Sequence, residues 1–370
     1  MSGEITLGGH KILEHTGVEG AGEVTLQNVT LGDSAVPSRS MNFRNRIING
    51  NMRIDQRNSG SVTSPNKFPV DRFSVLHITD GGAFSAQQDS SVPIDFENSN
   101  SLKWTTTTAA ASLTSTYHAI IRQRIEGNNV YDLHFGKATA KTITLSFWVK
   151  SSLIGTFGGS ILNNGQTRCY PFSYTIDTAD TWEYKTIIIP GDTDTSVNHW
   201  ITDTRIGMEV FWSMGVGSDY RGTAGAWTST PYQYTVANET SVIGTLNATW
   251  QITGAQLEKG SVATPFEHRP IGVELSLCQR YYCEVGGSYY GNNWSGYSSS
   301  AEIHFPVTMR VTPTCSLVSI DQSGSRFTTG TSGFYQGGYG SKNSVIFWTM
   351  AQASGGNDGY FADCTFDAEL

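Results

Sequence analysis

The chain has 370 residues, 15% of them charged and 11% aromatic, with 40 glycines and a formal net charge of −8. It is longer than the roughly 100–200 residues of one ordinary domain. Its charge density is well below the usual ~25%, and with Gly, Ser and Thr in quantity this predicts short strands and many turns rather than disorder. An acidic balance without a Lys/Arg cluster argues against nucleic acid as a partner. No apolar run approaches ~18 residues, so no membrane insertion is expected.

The opening Met1-Ser2-Gly3-Glu4 lacks the basic and apolar regions of a secretory leader, which predicts synthesis in a cytoplasm without export by that route. Residues 1–45 read as a separate small element, with Val24-Thr25-Leu26 and Val29-Thr30-Leu31 as short strands after a Gly-rich stretch. An element of that size cannot bury its own apolar residues and must cover them against sister chains or a docking partner.

From Arg46 to Pro270 period-2 segments follow one another. Thr142–Val149 puts Ile143, Leu145, Phe147 and Val149 on one face and Thr144, Ser146 and Trp148 on the other. Glu183–Ile189 and Ile206–Trp212 are further strands, and Trp250–Leu257 slips phase at Gly254 as a bulge would make it. Strands separated by Gly/Asp/Thr/Ser loops predict a mostly β chain, a jelly-roll sandwich over 46–270. Apolar residues of 271–284 recur at offsets of three and four, predicting a linking helix with two apolar lines. Leu275, Leu277, Cys278, Tyr281 and Tyr282 are its oligomer-interface candidates. Residues 285–370 then predict a second, smaller β-sandwich, with strands at Glu302–Met309, Val345–Met350 and Tyr360–Phe366.

Asn45-Arg46-Ile47-Ile48-Asn49-Gly50-Asn51-Met52, Gln56-Arg57-Asn58 and Asp71-Arg72-Phe73 resemble the opening of a jelly-roll domain, similar to carbohydrate-binding modules, in tail-fibre and receptor-binding proteins of tailed bacteriophages. The resemblance continues in Leu145–Lys150, in Trp182 and Ile187–Asp192, in Trp250–Gly260 running into Thr264–Pro270, and in Cys278-Gln279-Arg280-Tyr281-Tyr282. It covers roughly residues 45–310, and its specificity lies in the combination. Gly8–His15 is similar to segments that anchor fibres to a tail, a weaker match. The resemblance implies a homotrimer in the virion, docked on a tail or baseplate protein through 1–45. It also implies adsorption to a host polysaccharide or lipopolysaccharide through the C-terminal β domain. The alternatives are a structural spacer without a ligand and, in last place, a polysaccharide depolymerase.

Sugar sites need flat aromatic faces and short polar groups. Tyr289, Tyr290, Asn292, Asn293, Trp294 and Tyr297, with Tyr335 and Tyr339, supply both in Gly-rich stretches; interface packing is the competing reading. Trp227, Tyr220, Tyr232 and Tyr234 share a long segment, Gly215–Ser241, and form a weaker candidate. Trp148, Trp182, Trp212 and Trp250 read as core. Asp192-Thr193-Asp194 with Asp203 is more simply a solvated turn than a calcium site. Five cysteines without CxxC or zinc spacing read as buried reduced thiols, and no catalytic motif, metal or cofactor is expected.

Overall fold

The computed structural model describes residues 3–7, 10–15, 43–58, 67–78, 81–110, 112–195, 200–292, 298–322, 334–336, 341–350 and 357–370. The chain divides into two compact units, Met1–Met41 and Asn42–Leu370. The first contains an antiparallel pair, β1 (Gly3–Leu7) and β2 (His10–His15), with an irregularity between Ile5 and Thr6. Val24–Leu31 lies outside the described residues.

In the second unit the strands run β3 (Phe73–Ile78), β4 (Ala83–Asp89), β5 (Ser101–Thr108), β6 (His118–Glu126), β7 (Ile143–Ser151), β8 (Gly155–Leu162), β9 (Cys169–Ile176), β10 (Glu183–Ile189), β11 (Ile206–Val216), β12 (Arg221–Gly222), β13 (Thr235–Val236) and β14 (Thr249–Lys259). Helix α1 (Ile271–Gln279) follows, then β15 (Tyr282–Asn292), β16 (Ser298–His304), β17 (Thr314–Gln322), β18 (Phe334–Gln336), β19 (Ser344–Met350) and β20 (Asn357–Asp367).

Two five-stranded sheets, β10-β7-β14-β5-β4 and β3-β6-β11-β8-β9, form the jelly-roll sandwich. Alternation decides what lies between them. Ile143, Leu145, Phe147 and Val149 of β7 are all fully buried and meet Val210, Trp212, Phe157 and Tyr174 from the facing sheet. Each such side chain contributes roughly 1.5–3 kcal/mol on leaving water. Trp104 stacks on Phe84 at 3.9 Å, and the Trp250 indole donates to the Tyr174 hydroxyl at 3.1 Å. The phase slip expected in β14 is present. Its register with β7 shifts between Thr253 and Gln256, and Gly254 takes φ +60°. A Cβ there would stand 2.6 Å from the Phe96 ring, so glycine is required twice over.

The C-terminal residues form two three-stranded antiparallel sheets, β15-β20-β17 and β16-β19-β18, over a small core of Cys283, Ile303, Phe305, Met309, Cys364 and Phe366. Two boundaries differ from expectation. The strand begun at Ser298 ends at His304, short of Met309, because Pro306 has no amide to donate. The helix ends at Gln279 rather than continuing to residue 284. Tyr282 pairs with Asp367 as the first rung of β15, and the Tyr281 carbonyl accepts the Ala368 amide, so sheet pairing takes the residues that a longer helix would need.

The strings at 45–58, 71–73 and 278–282 converge on one joint between sandwich, helix and C-terminal sheets. The Asn45 amide side chain donates to the Ala255 carbonyl at 3.1 Å and accepts from Ile47 and Leu257. Asn49 ties Ile54 to Asp71 through three bonds, and its own amide donates to Glu274 of α1. The Arg72 guanidinium, 2% exposed, lies 3.5 Å over the Tyr281 ring and bonds Glu369; Arg57 lies 3.7 Å over Tyr282 and reaches Asp71 and Glu369 at 3.4 and 3.2 Å. Arg280 grips Glu126 at 2.7 Å, and Tyr281 donates to the same carboxylate at 3.0 Å. Burial pulls both Arg57 and Arg72 below their ordinary range, although a guanidinium stays charged at neutral pH. Burial would raise Glu126, but Arg280, Asn128 and Tyr281 together hold it below the usual carboxylate value.

The helix candidates sit at this joint. Cys278, Tyr281 and Tyr282 are buried within the chain, and half-buried Leu275 and Leu277 pack on the same cluster with Ile48 and Ile54. The two-sided helix therefore lies between elements of its own chain.

Candidate functional site

The C-terminal aromatic candidates are placed only in part. Tyr289, Tyr290 and Asn292 belong to β15 and Tyr335 to β18 by backbone. Their side chains, and Asn293, Trp294, Tyr297 and Tyr339 altogether, lie outside the described residues.

The aromatics of the segment from Gly215 to Ser241 pack as a cover over the sandwich. β12 and β13 pair in parallel, and Tyr234 and Tyr220 stack at 4.7 Å over Phe211 and Ile120 on the outer side of the second sheet. Trp227 donates to the Pro190 carbonyl at 2.8 Å and packs among Phe135, Tyr170 and Trp200. Of the four aromatics weighed there, Tyr232 is the one well exposed, at 47%. Glu239 anchors the end of this cover, accepting from Ser213, Val216 and Thr235 at 2.9, 3.0 and 2.7 Å. Burial raises its pKa to about 7, against the lowering by those donors. The folded carboxyl thus keeps a proton that the unfolded chain, near 4.5, has released. This contribution to stability is present below pH 4.5 and is lost as pH rises to about 7. Urea unfolding of the wild type should therefore show stability declining across that window, with a flatter profile for Glu239→Gln; parallel profiles would refute the assignment.

Asp192 is committed to structure. Arg168 binds it in a fork at 2.7–3.1 Å and Trp200 donates to it at 2.9 Å, while Asp203 pairs with Arg205 at 2.8 Å. These carboxylates are therefore not gathered around an ion, and no cluster of metal-ligating side chains occurs among the described residues. All five cysteines are free thiols, four of them buried and Cys315 partly so.

The chemistry a sugar needs is on the outer face of the first sheet. Trp212 and Trp250 are core residues as expected, but Trp148 and Trp182 are not: both are half-buried on that face. Pairing registers set two rows across the strands. One carries Gln87, Lys103, Gln251 and Lys150, with Trp182 just before β10; the other carries Asp89, Ser101, Thr253, Trp148 and Tyr184. Trp148 and Tyr184 lie with ring centroids 5.3 Å apart, and Tyr184 is 44% exposed. Lys150 stands 5.1 Å over the Trp182 ring and donates to Ser91 at 2.7 Å; burial, opposed by nearby Asp89, lowers its pKa. Asp89 holds Lys103 at 3.4 Å and accepts from Gln251 at 3.2 Å. The Trp182 Nε1, shielded from solvent, has no hydrogen-bond partner among the described residues. The loop before β5 walls the strip, with Phe96 against Trp148 at 6.5 Å through the space that Gly254 leaves. The sequence signal was available: Trp148 alternates with Thr144 and Ser146, not with the core residues of β7.

The sequence matches no protein-family model and no curated protein. Among solved structures, a protein from Bacteroides thetaiotaomicron VPI-5482 proposed to bind sugar aligns at 14% identity and TM-score 0.36, covering 58% of this chain and 100% of its own. The enzymatically active domain of tailspike protein 4 of bacteriophage CBA120 aligns at 13% identity and TM-score 0.30, over 58% of this chain and 24% of that one. A family 11 carbohydrate-binding module from Clostridium thermocellum, in complex with a β-1,3-1,4-mixed-linked tetrasaccharide, aligns at 12% identity and TM-score 0.28, over 57% and 100%.

Proposed function

We propose that the chain is the receptor-binding tail fibre of a bacteriophage, holding a host surface glycan without chemical change. The observation that carries this reading is the strip, where Trp148, Trp182 and Tyr184 lie beside the amide of Gln87 and the charges of Lys103 and Lys150, over a buried polar layer that includes Ser101 and Gln251. Flat aromatics take the C–H face of a sugar ring while short polar groups take its hydroxyls. Asp89, the carboxylate on these rows, is engaged by Lys103 and Gln251, which favours holding over hydrolysis by a pair of free carboxylates.

In this reading the protein is a virion component made in the host cytoplasm. It is a homotrimer, docked through residues 1–45 on a tail or baseplate protein. The C-terminal sheets, with Tyr289, Tyr290 and Trp294 on their Gly-rich segments, form a second contact with the host polysaccharide or lipopolysaccharide. The joint supports it by tying the sandwich to helix α1 and the ends of β15 and β20, and weak contacts would add across identical copies.

The test is a panel of purified bacterial surface polysaccharides incubated with the full chain, reading binding, oligomeric state and polymer length. At least one polymer should be retained by a trimer and left at its original length, with Trp294→Ala weakening retention at unchanged oligomeric state. Shortening of the bound polymer, or no retention across the panel, would overturn the proposal.

A further inference from the structure

The strip runs into an open cleft. Outward-facing residues continue from Trp148 and Lys150 of β7 to Ser152 just past its end, about 13 Å along the backbone, and on the segment before β10 Trp182 leads back to Ala179. Ser152 and Ala179 line an open cleft of about 720 Å³ together with Leu113, Leu153, Ile154, Arg221, Thr240 and Thr245. That volume is in the range of small-ligand sites.

Its walls are chemically divided. Leu113, Leu153 and Ile154, the last 60% exposed, form an apolar side without an aromatic ring. Thr240 and Thr245 add hydroxyl groups to the lining, that of Thr240 donating to the Ile154 carbonyl at 3.5 Å. Arg221 is fixed by its Nε and Nη2, which donate to the Val216 carbonyl at 3.0 and 2.6 Å; Glu239 feels its charge, while no hydrogen bond from Nη1 is formed among the described residues. A half-buried cation that lines the cleft with one edge of its guanidinium held suits an anion.

We propose, resting on the glycan-binding reading of the strip, that this cleft is the terminal subsite of the same track and selects an anionic sugar residue, its carboxylate or phosphate on Arg221 and its ring between the leucines and the threonine hydroxyls. The strip supplies affinity for the polymer and the cleft supplies discrimination by charge, because an anion left without its cation is rejected far more strongly than a misplaced methylene.

Saturation-transfer NMR titrations of the full chain with D-glucose, D-glucuronate and D-glucose 6-phosphate test it. One of the two anions should bind at least about tenfold more tightly than glucose, about 1.4 kcal/mol, and the better one identifies the group recognised. Arg221→Gln should erase that preference. Thr245→Val, which leaves the cation in place, should weaken all three sugars together at unchanged melting temperature. Trp148→Ala should lower polysaccharide retention yet keep the preference for the anion. Equal affinities for the three sugars, or a preference surviving in Arg221→Gln, overturns the inference. If polysaccharide retention still depends on Trp148 in that case, the strip reading stands alone.

Discussion

Arg72→Met should destabilise the protein by about 2–4 kcal/mol, in the range for breaking a buried ion pair by removal of one partner. The guanidinium is 2% exposed, bonds Glu369 and the Arg124 carbonyl, and covers the Tyr281 ring at 3.5 Å. Methionine keeps the packing volume, so the loss falls on charge and hydrogen bonding. Arg57 remains 3.2 Å from Glu369, which keeps the cost below that of a wholly abandoned carboxylate. Urea unfolding gives the total, and hydrogen exchange gives its location. Protection should fall first in β15 and β20, the strands that continue directly from the joint, with the sandwich core unchanged. Uniform loss of protection would mean that Arg72 serves the sandwich alone.

Trp148→Ala together with Tyr184→Ala should raise the dissociation constant for a retained polysaccharide by about 30-fold or more. Each ring offered to a sugar face contributes on the order of 1 kcal/mol beyond the area covered, and 1.4 kcal/mol is tenfold. Stability should change little, since Tyr184 is 44% exposed and Trp148 is outside the core. The double variant compared with each single one reads the coupling of the two rings, 5.3 Å apart. Undiminished binding would remove the strip from the site and leave the C-terminal segments as the receptor surface.

Alternation made the sandwich legible in the sequence, because a strand with one face buried shows its register directly. β7, β10, β11 and the bulge in β14 all follow from that rule. The helix end was not legible. Tyr281 and Tyr282 keep helical spacing with Leu275 and Cys278, and only pairing with Asp367 and Ala368, some 86 residues away, draws them into a sheet. The candidate site was hidden for a related reason. A tryptophan in a strand has the same letter on either face, and size argued for the core. The cover over the second sheet was harder still: its aromatics look like those of a binding loop until the chain that they pack against is known.

Strand β15 pairs with β20 along eleven rungs, from Tyr282–Asp367 to Asn292–Asn357, although some 64 residues separate the two in the chain. During synthesis the first of these strands leaves the ribosome long before its neighbour exists. Closing so long a loop costs entropy ahead of any return. The sandwich, complete once Lys259 has emerged, can mature first; the joint waits for Glu369. A chain truncated before Glu369 would therefore carry a finished sandwich whose Arg72 has lost its carboxylate, with nothing to fasten the far sheets to it.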